Sequence, residues 1–232
     1  MRQSDEVLTV ATLPFTKRPL IRCAVVALTG LSAFAGHAAA HPHVFVTTSA
    51  TVVIESGTIN AIENVWTFDE FYTAMAIEGL DTNKDGKYSR DELAELAKTN
   101  VEGLKEFQYF TYPKLAGTDL KLTDPTTYHL EHKDGVLSLH FRVPLEKPVL
   151  IDAKGFNFTV ADPSLFIAFE LAKNDPVKLS ANAPKGCKVV LADQQPETGE
   201  AKRLGDAFSG QLGAAPSFLG GPKSVAVDCP ST

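Results

Sequence analysis

The sequence predicts an α+β protein, an antiparallel β-rich domain with a helix-loop-helix inserted early, on three observations. Short segments of alternating apolar and polar residues, divided by turn dipeptides such as Ser56-Gly57 and Asp134-Gly135, recur from about residue 44 to residue 228. Helical periodicity interrupts them between about residues 67 and 107. The composition is globular: 232 residues, 44% hydrophobic and 22% charged, with 16 glycines and 14 prolines and no bias towards disorder, collagen or coiled coil.

The first forty residues read as an address. Lys17, Arg18 and Arg22 precede residues 23–35, CAVVALTGLSAFA, an uncharged run shorter than the roughly 20 residues needed to span a bilayer. Ala38, Ala39 and Ala40 follow, so a cleavable secretory signal at 1–40 is expected, with cleavage after Ala40. Arg22 before Cys23 spoils a lipoprotein site, and Lys17-Arg18 is not a twin-arginine pair. Cleavage removes Arg2, Lys17, Arg18, Arg22, Asp5 and Glu6, taking the formal charge from −6 to −8 on a single domain of residues 41–232. The expected destination is a bacterial periplasm. No later stretch is long and apolar enough to cross a membrane. The acidic balance and the lack of a Lys/Arg cluster exclude a protein built to grip nucleic acid. Cys187 and Cys229, both beyond the signal, are expected to pair in an oxidising compartment.

Taken in order, residues 44–55 and 58–66 flank Ser56-Gly57 as a hairpin. Thr67 and Glu70 make a capping box for a first helix, on which Phe68, Phe71, Tyr72, Met75 and Leu80 recur at roughly helical spacing. Ser89 and Glu92 repeat the box. Leu93, Leu96, Ala97, Val101, Leu104 and Phe107 then form one apolar stripe, and both stripes are expected to be core. Residues 127–133 and 136–143 flank Asp134-Gly135 as a second hairpin, and 156–161, 165–171, 188–192 and about 225–228 read as further strands. Sandwich and barrel both remain open.

Between the helices, Asp81 to Glu92 reads DTNKDGKYSRDE, which fits the EF-hand calcium pattern D-x-[DN]-x-[DN]-G-x5-E without a gap. Asp81, Asn83 and Asp85 supply side-chain oxygens at positions one, three and five, and Gly86 takes the sharp turn at six. Lys87 offers its carbonyl, Ser89 a hydroxyl or a bridging water, and Glu92 both carboxylate oxygens. Ca²⁺ is the expected ion. No second such loop exists, so the site reads as a structural staple rather than a sensor.

A two-residue turn at Asp134-Gly135 pairs residues whose numbers sum to 269, setting Leu130 against Leu139 and Tyr128 against Phe141. On the other face His129 then lies across from His140, with Cβ atoms about 4.5–5.5 Å apart, near enough to share one metal ion. After cleavage the chain begins His41-Pro42-His43. His41 offers an amine and a ring nitrogen to one ion, whereas Pro42 lacks the amide that the usual amino-terminal copper/nickel site deprotonates. All five histidines beyond residue 40 fall in segments 41–43 and 129–140. His41, His43, His129 and His140 are therefore the candidate ligands for zinc, nickel or cobalt, and His132 points to the apolar face.

His41-Pro42-His43-Val44-Phe45, Trp66-Thr67-Phe68-Asp69-Glu70-Phe71-Tyr72, the acidic loop, Phe107 with Tyr109-Phe110, and Ala161-Asp162-Pro163-Ser164 resemble a poorly characterised bacterial periplasmic family. That family is described as the periplasmic component of an uncharacterised transport system, and its genes often stand beside NicO-type nickel/cobalt membrane transporters or zinc-linked relatives. The resemblance spans about residues 41–229. It implies capture or delivery of a divalent transition metal for a membrane permease, without catalysis. Where the family tends to have Tyr-Asp-Pro this chain has Ala161-Asp162-Pro163 and lacks that tyrosine, while Asp162 keeps its place and reads as a metal ligand, an acceptor behind a ligand or a turn residue before Pro163.

The expectation is thus a periplasmic divalent-metal-binding accessory component of a zinc, nickel or cobalt transport system, held together by one calcium site. Two rivals stand beside it. One is a calcium-stabilised interaction module with idle histidines, the other a copper-binding protein using a His41 brace. No Ser-His-Asp constellation, Gly-rich phosphate loop, H-E-x-x-H or C-x-x-C supports a hydrolase or a nucleotide-dependent enzyme.

Overall fold

In a computed structural model, which describes residues 43–164, 166–193 and 223–230, three dipeptide turns set the strand register. Ser56-Gly57, Ala116-Gly117 and Asp134-Gly135 each hold two successive residues at positive φ, the turn geometry whose twist matches that of paired strands. The first joins β1 (Val44–Glu55) to β2 (Thr58–Phe68), the second β3 (Thr111–Leu115) to β4 (Thr118–Asp119), and the third β5 (Thr127–Lys133) to β6 (Val136–Leu150). The middle hairpin escapes sequence reading because Ala116 is a poor left-handed residue, with φ of 49°. The predicted signal and His41 lie outside the described residues.

The remaining strands are β7 (Phe156–Val160), β8 (Ile167–Leu171), β9 (Val177–Leu179), β10 (Lys188–Asp193) and β11 (Lys223–Asp228). One sheet runs β5-β6-β2-β1-β8, with β9 also on β1, and the other runs β10-β11-β7-β3-β4. The inner faces share one core, to which Trp66, Leu130, Leu139 and Phe141 come from the first sheet and Phe156, Phe158, Val225 and Val227 from the second. Asn64 Nδ2 crosses between the layers to donate to Thr111 Oγ1 at 3.3 Å. The result is a two-sheet sandwich rather than a barrel.

The wholly antiparallel expectation needs correction, since β8 and β9 pair with β1 in parallel. Hairpin partners occupy one side of β1, and a chain returning from the second sheet reaches its other side already running the same way. Strand β6 also passes the predicted end at residue 143. Pro144 and Pro148 cannot donate to the ladder, and a register shift between Ile59 and Ala61 on β2 absorbs the interruption.

The helices differ more. Helix α1 (Glu70–Ala76) is only seven residues long and is capped by Asp69, whose Oδ1 accepts from the Tyr72 N–H at 2.8 Å while Oδ2 accepts from the Phe45 N–H at 2.9 Å. The predicted Thr67/Glu70 box does not form, because Thr67 is still in β2, paired to Ser138 by backbone and by hydroxyl. Phe71 and Met75, expected in the core, are 71% and 57% exposed. The buried side of α1 carries Thr73, whose hydroxyl accepts from the Leu137 N–H at 3.0 Å. Helix α2 (Ala94–Leu104) keeps the predicted stripe, with Leu93, Ala97 and Val101 buried and Leu96 and Leu104 packed against the core. Phe107 leaves it. It lies in the 3-10 segment Lys105–Phe110, 53% exposed and stacked on Phe110. Gln108, Tyr109 and Phe110 then take successive left-handed conformations, an arrangement that costs roughly 1–2 kcal/mol per residue. The Tyr109 hydroxyl donating to Asp124 at 2.8 Å, with Lys105 on the same carboxylate at 2.7 Å, helps hold this turn.

Cys187 and Cys229 form the expected disulfide, joining the approach to β10 with the end of β11. Their separation of 42 residues implies that replacing both with serine lowers stability by about 4 kcal/mol, read from urea midpoints. Trp66 is 1% exposed, with Phe110, Phe141 and Phe169 around it. Trp66→Ala is expected to cost about 3–5 kcal/mol in the same measurement.

Candidate metal sites on the acidic loop and the histidine pair

Residues 81–92 fold on themselves through their own side chains. Asp81 accepts from the Asp85 and Gly86 N–H groups at 3.1 and 3.0 Å, Asn83 Oδ1 from Asp85 at 2.8 Å, and Asp85 Oδ1 from Lys87 at 2.8 Å. Glu92 closes the loop: Oε1 accepts from the N–H and hydroxyl of Thr82, both at 2.9 Å, and Oε2 from the N–H and hydroxyl of Ser89, at 2.9 and 2.8 Å. The predicted Ser89/Glu92 bonds form, since Glu92 N–H donates back to Ser89 Oγ at 3.3 Å, but they close the turn before α2, whose own N-cap is Leu93 without a side-chain bond. The hydrogen bonds from Ser89, with those from Thr82, pull the Glu92 carboxyl down to about 2. The flanking helices do not abut the loop, because α1 ends at Ala76 and α2 begins at Ala94.

The β5-β6 register is the predicted one throughout, from Thr127 opposite Arg142 to Lys133 opposite Val136. Leu130 and Leu139 enter the core. Opposite each other on the outer face, the His129 and His140 rings stack with centroids 4.5 Å apart and planes 6° apart. Two neighbours define their chemistry. Arg90 Nη2 lies 3.1 Å from His129 Nε2; a guanidinium only donates, so Nε2 is the acceptor and the ring proton sits on Nδ1. Glu131 Oε2 stands 3.6 Å from His140 Nε2, a buried nitrogen without a hydrogen-bond partner. Burial, with the Arg90 charge acting in the same direction, holds both imidazoles below the ordinary histidine value of 6.5. Near pH 7 both rings are neutral, the form that ligates metal.

The other candidates sit elsewhere. His140 pairs with Val65 and Val65 with Ser49, so His43, six residues before Ser49, lies about 20 Å along the strand and two strand spacings of about 4.8 Å away. Its ring rests on Phe166 at 5.0 Å. Strand β2 stands between β1 and the β5-β6 hairpin, which keeps His43 from His129 and His140. His41 lies outside the described residues. Asp162 is buried and spent on a turn, accepting from the Ser164 N–H and hydroxyl and from the Ile167 N–H. His132 meets the Tyr88 ring edge-on at 4.9 Å. Among the described residues, no three His, Cys, Asp or Glu side chains stand already grouped to hold an ion.

Neither Arg90 nor Glu131 is among the ligands that the sequence singles out. Glu131 is recoverable in principle, since it lies two residues from His129 on the same strand face. Arg90 is not, because its contact arises only when the loop docks on β5.

Fold and site define the class: a two-sheet β-rich α+β protein with an acidic twelve-residue loop lodged beside a histidine pair. Residues 26–214 match a family described as "Protein of unknown function (DUF1007)", and the chain belongs to that family. It is 25% identical over 154 residues to an "Uncharacterized protein" of Haemophilus influenzae, covering 66% of this chain and 73% of that protein. An "Uncharacterized 15.5 kDa protein in trpE 3'region" of Spirochaeta aurantia is 33% identical over 100 residues, covering 43% of this chain and 70% of its own length. Among the described residues no helix is long and apolar enough to cross a membrane.

The histidine geometry carries a pH signature. As the folded-state values lie below 6.5, the unfolded chain protonates first, and stability falls as pH drops from about 7 through that value and the lower folded ones. Urea midpoints across this range should decline in wild type, and His129→Gln with His140→Gln should flatten the slope.

Proposed function

We propose that this chain is an exported divalent-metal-binding protein, an accessory component serving a membrane metal permease of the NicO type. Calcium is held by Asp81, Asn83, Asp85, the Lys87 carbonyl, Ser89 and Glu92, and a zinc, nickel or cobalt ion by His129 and His140 with Glu131. The observation that carries this reading is the stacked pair of imidazoles beside a carboxylate, with one buried ring nitrogen unpartnered. Nitrogen and carboxylate ligands suit zinc and its neighbours. The donor types of the loop suit calcium: Asp81, Asn83, Asp85 and Glu92 each turn a side-chain oxygen onto a backbone N–H of the loop, and Glu92 would exchange its Ser89 and Thr82 donors for the ion.

Export to the periplasm rests on the residue 1–40 pattern, with the Cys187–Cys229 disulfide in support. The partner permease rests on family resemblance. His43 belongs to no common site with His129 and His140 in this reading. The interaction-module reading has one observation in its favour, the exposure of Phe71 and Met75 on α1. A His41 copper brace has none among the described residues.

The test is elemental analysis and calorimetry of the protein as the cell exports it. One calcium and one transition metal per chain are expected. Asp81→Asn with Glu92→Gln should remove calcium and spare zinc. His129→Ala with His140→Ala should weaken zinc at least about 100-fold, beyond what losing an outer-shell partner costs, and spare calcium. Calcium alone would hand the case to the interaction module, and neither metal would end the proposal.

A further inference from the structure

We infer that the acidic loop and the histidine pair oppose each other through Arg90: a divalent ion in the loop fixes this side chain on His129 and weakens transition-metal binding there. This rests on the metal-binding reading of both sites, and it adds the regulation of one by the other.

Arg90 is position ten of the loop, between Ser89 at nine and Glu92 at twelve. Its guanidinium leaves the loop altogether and donates to His129 Nε2 at 3.1 Å. His140 turns its own Nε2 towards Glu131 at 3.6 Å, and with the His129 proton on Nδ1 an ion reaching that ring would need its Nε2 lone pair. The His129 Nε2 has one lone pair. Arg90 and a metal ion therefore exclude each other at that atom, and zinc must displace the guanidinium before it can bridge the pair. Loop and strand also touch at Tyr88 against His132, so the segment carrying Arg90 is seated on β5 at two points.

Two effects set the sign, and they agree. An ion ligated by Ser89 and Glu92 takes the place of the hydrogen bonds that join them and clamps the chain on both sides of Arg90, which lowers the entropy cost of keeping the guanidinium on His129. The same ion adds positive charge on the Arg90 side of the pair, which disfavours a second cation nearby, more so in low salt. Linkage then requires the reverse: zinc at the histidines weakens calcium in the loop by the same factor. The result is a carrier whose grip on transition metal loosens as calcium rises.

The experiment titrates zinc into metal-stripped exported protein, in calcium-free buffer and in millimolar calcium, and repeats the titration with Arg90→Met. Wild type should bind zinc about tenfold more weakly with calcium present, within the range usual for coupled sites. In Arg90→Met, which keeps the aliphatic stem, most of that difference should vanish and zinc should bind at least as tightly as in calcium-free wild type. Should the variant fold poorly, calcium titrations of wild type with and without saturating zinc give the same factor independently. Equal zinc affinity in both buffers, tighter binding with calcium, or a folded Arg90→Met that keeps the full difference overturns the coupling while leaving two sites in place. No zinc uptake, or uptake untouched by His129→Ala with His140→Ala, removes the histidine site itself and the coupling with it.

Discussion

The register of one hairpin carries the rest of the structure. Because side chains alternate across a strand and β6 is held in place by β2, a slip of one residue in β5 would send Leu130 to solvent and drive His129 into the core. The turn at Asp134-Gly135 prevents it, with φ values of 52° and 82° at its two residues. Burying apolar surface on one face and presenting two imidazoles on the other are thus a single event. The hydrophobic gain, roughly 25 cal/mol per Å² of apolar surface, outweighs the cost of placing two nitrogen heterocycles against each other. The His140 Nε2 remains buried and unpartnered, an unsatisfied group that costs about 1–3 kcal/mol.

The acidic loop is held by a different kind of force. Residues 81–92 are largely exposed, so little hydrophobic burial acts on them, and their shape comes from carboxylates accepting nearby N–H groups. Glu92 alone accepts from both ends of the loop, residues 82 and 89. Its neighbour in sequence, Leu93, is fully buried and begins the stripe that seats α2. Loop and core are therefore joined by consecutive residues, one polar and closing a ring, the other apolar and anchoring it. That junction aims Arg90 across the sheet edge towards His129 and sets Tyr88 against His132.

Much of this was legible in the chain. Alternation and turn dipeptides marked most strands, the sum rule at Asp134-Gly135 gave every pair of the β5-β6 ladder, and the Ser89/Glu92 bonds and the α2 stripe were readable from spacing. The first helix was not. Phe68, Phe71, Tyr72 and Met75 have helical spacing, yet Phe68 is the last residue of β2 and Phe71 and Met75 face outward. Backbone pairing of Thr67 and Phe68 with neighbouring strands outweighed their reading as helix start and stripe. Asp69, capping α1 and also tying down Phe45, is a contact between residues 24 apart, invisible to any local pattern.

The sequence by itself determined what short-range physics governs: which residues turn, which faces are apolar, which oxygens line a twelve-residue loop, and which two histidines oppose each other across a two-residue turn. Tertiary structure alone decided what depends on strand order and docking. It placed β2 between the first strand and the histidine hairpin, and so set His43 apart from His129 and His140. It ran β8 and β9 parallel to β1, closed two sheets into a sandwich, and brought Arg90 to His129. Sequence spacing reports neighbours a few residues away, whereas these arrangements follow from the packing of surfaces contributed by residues far apart in the chain.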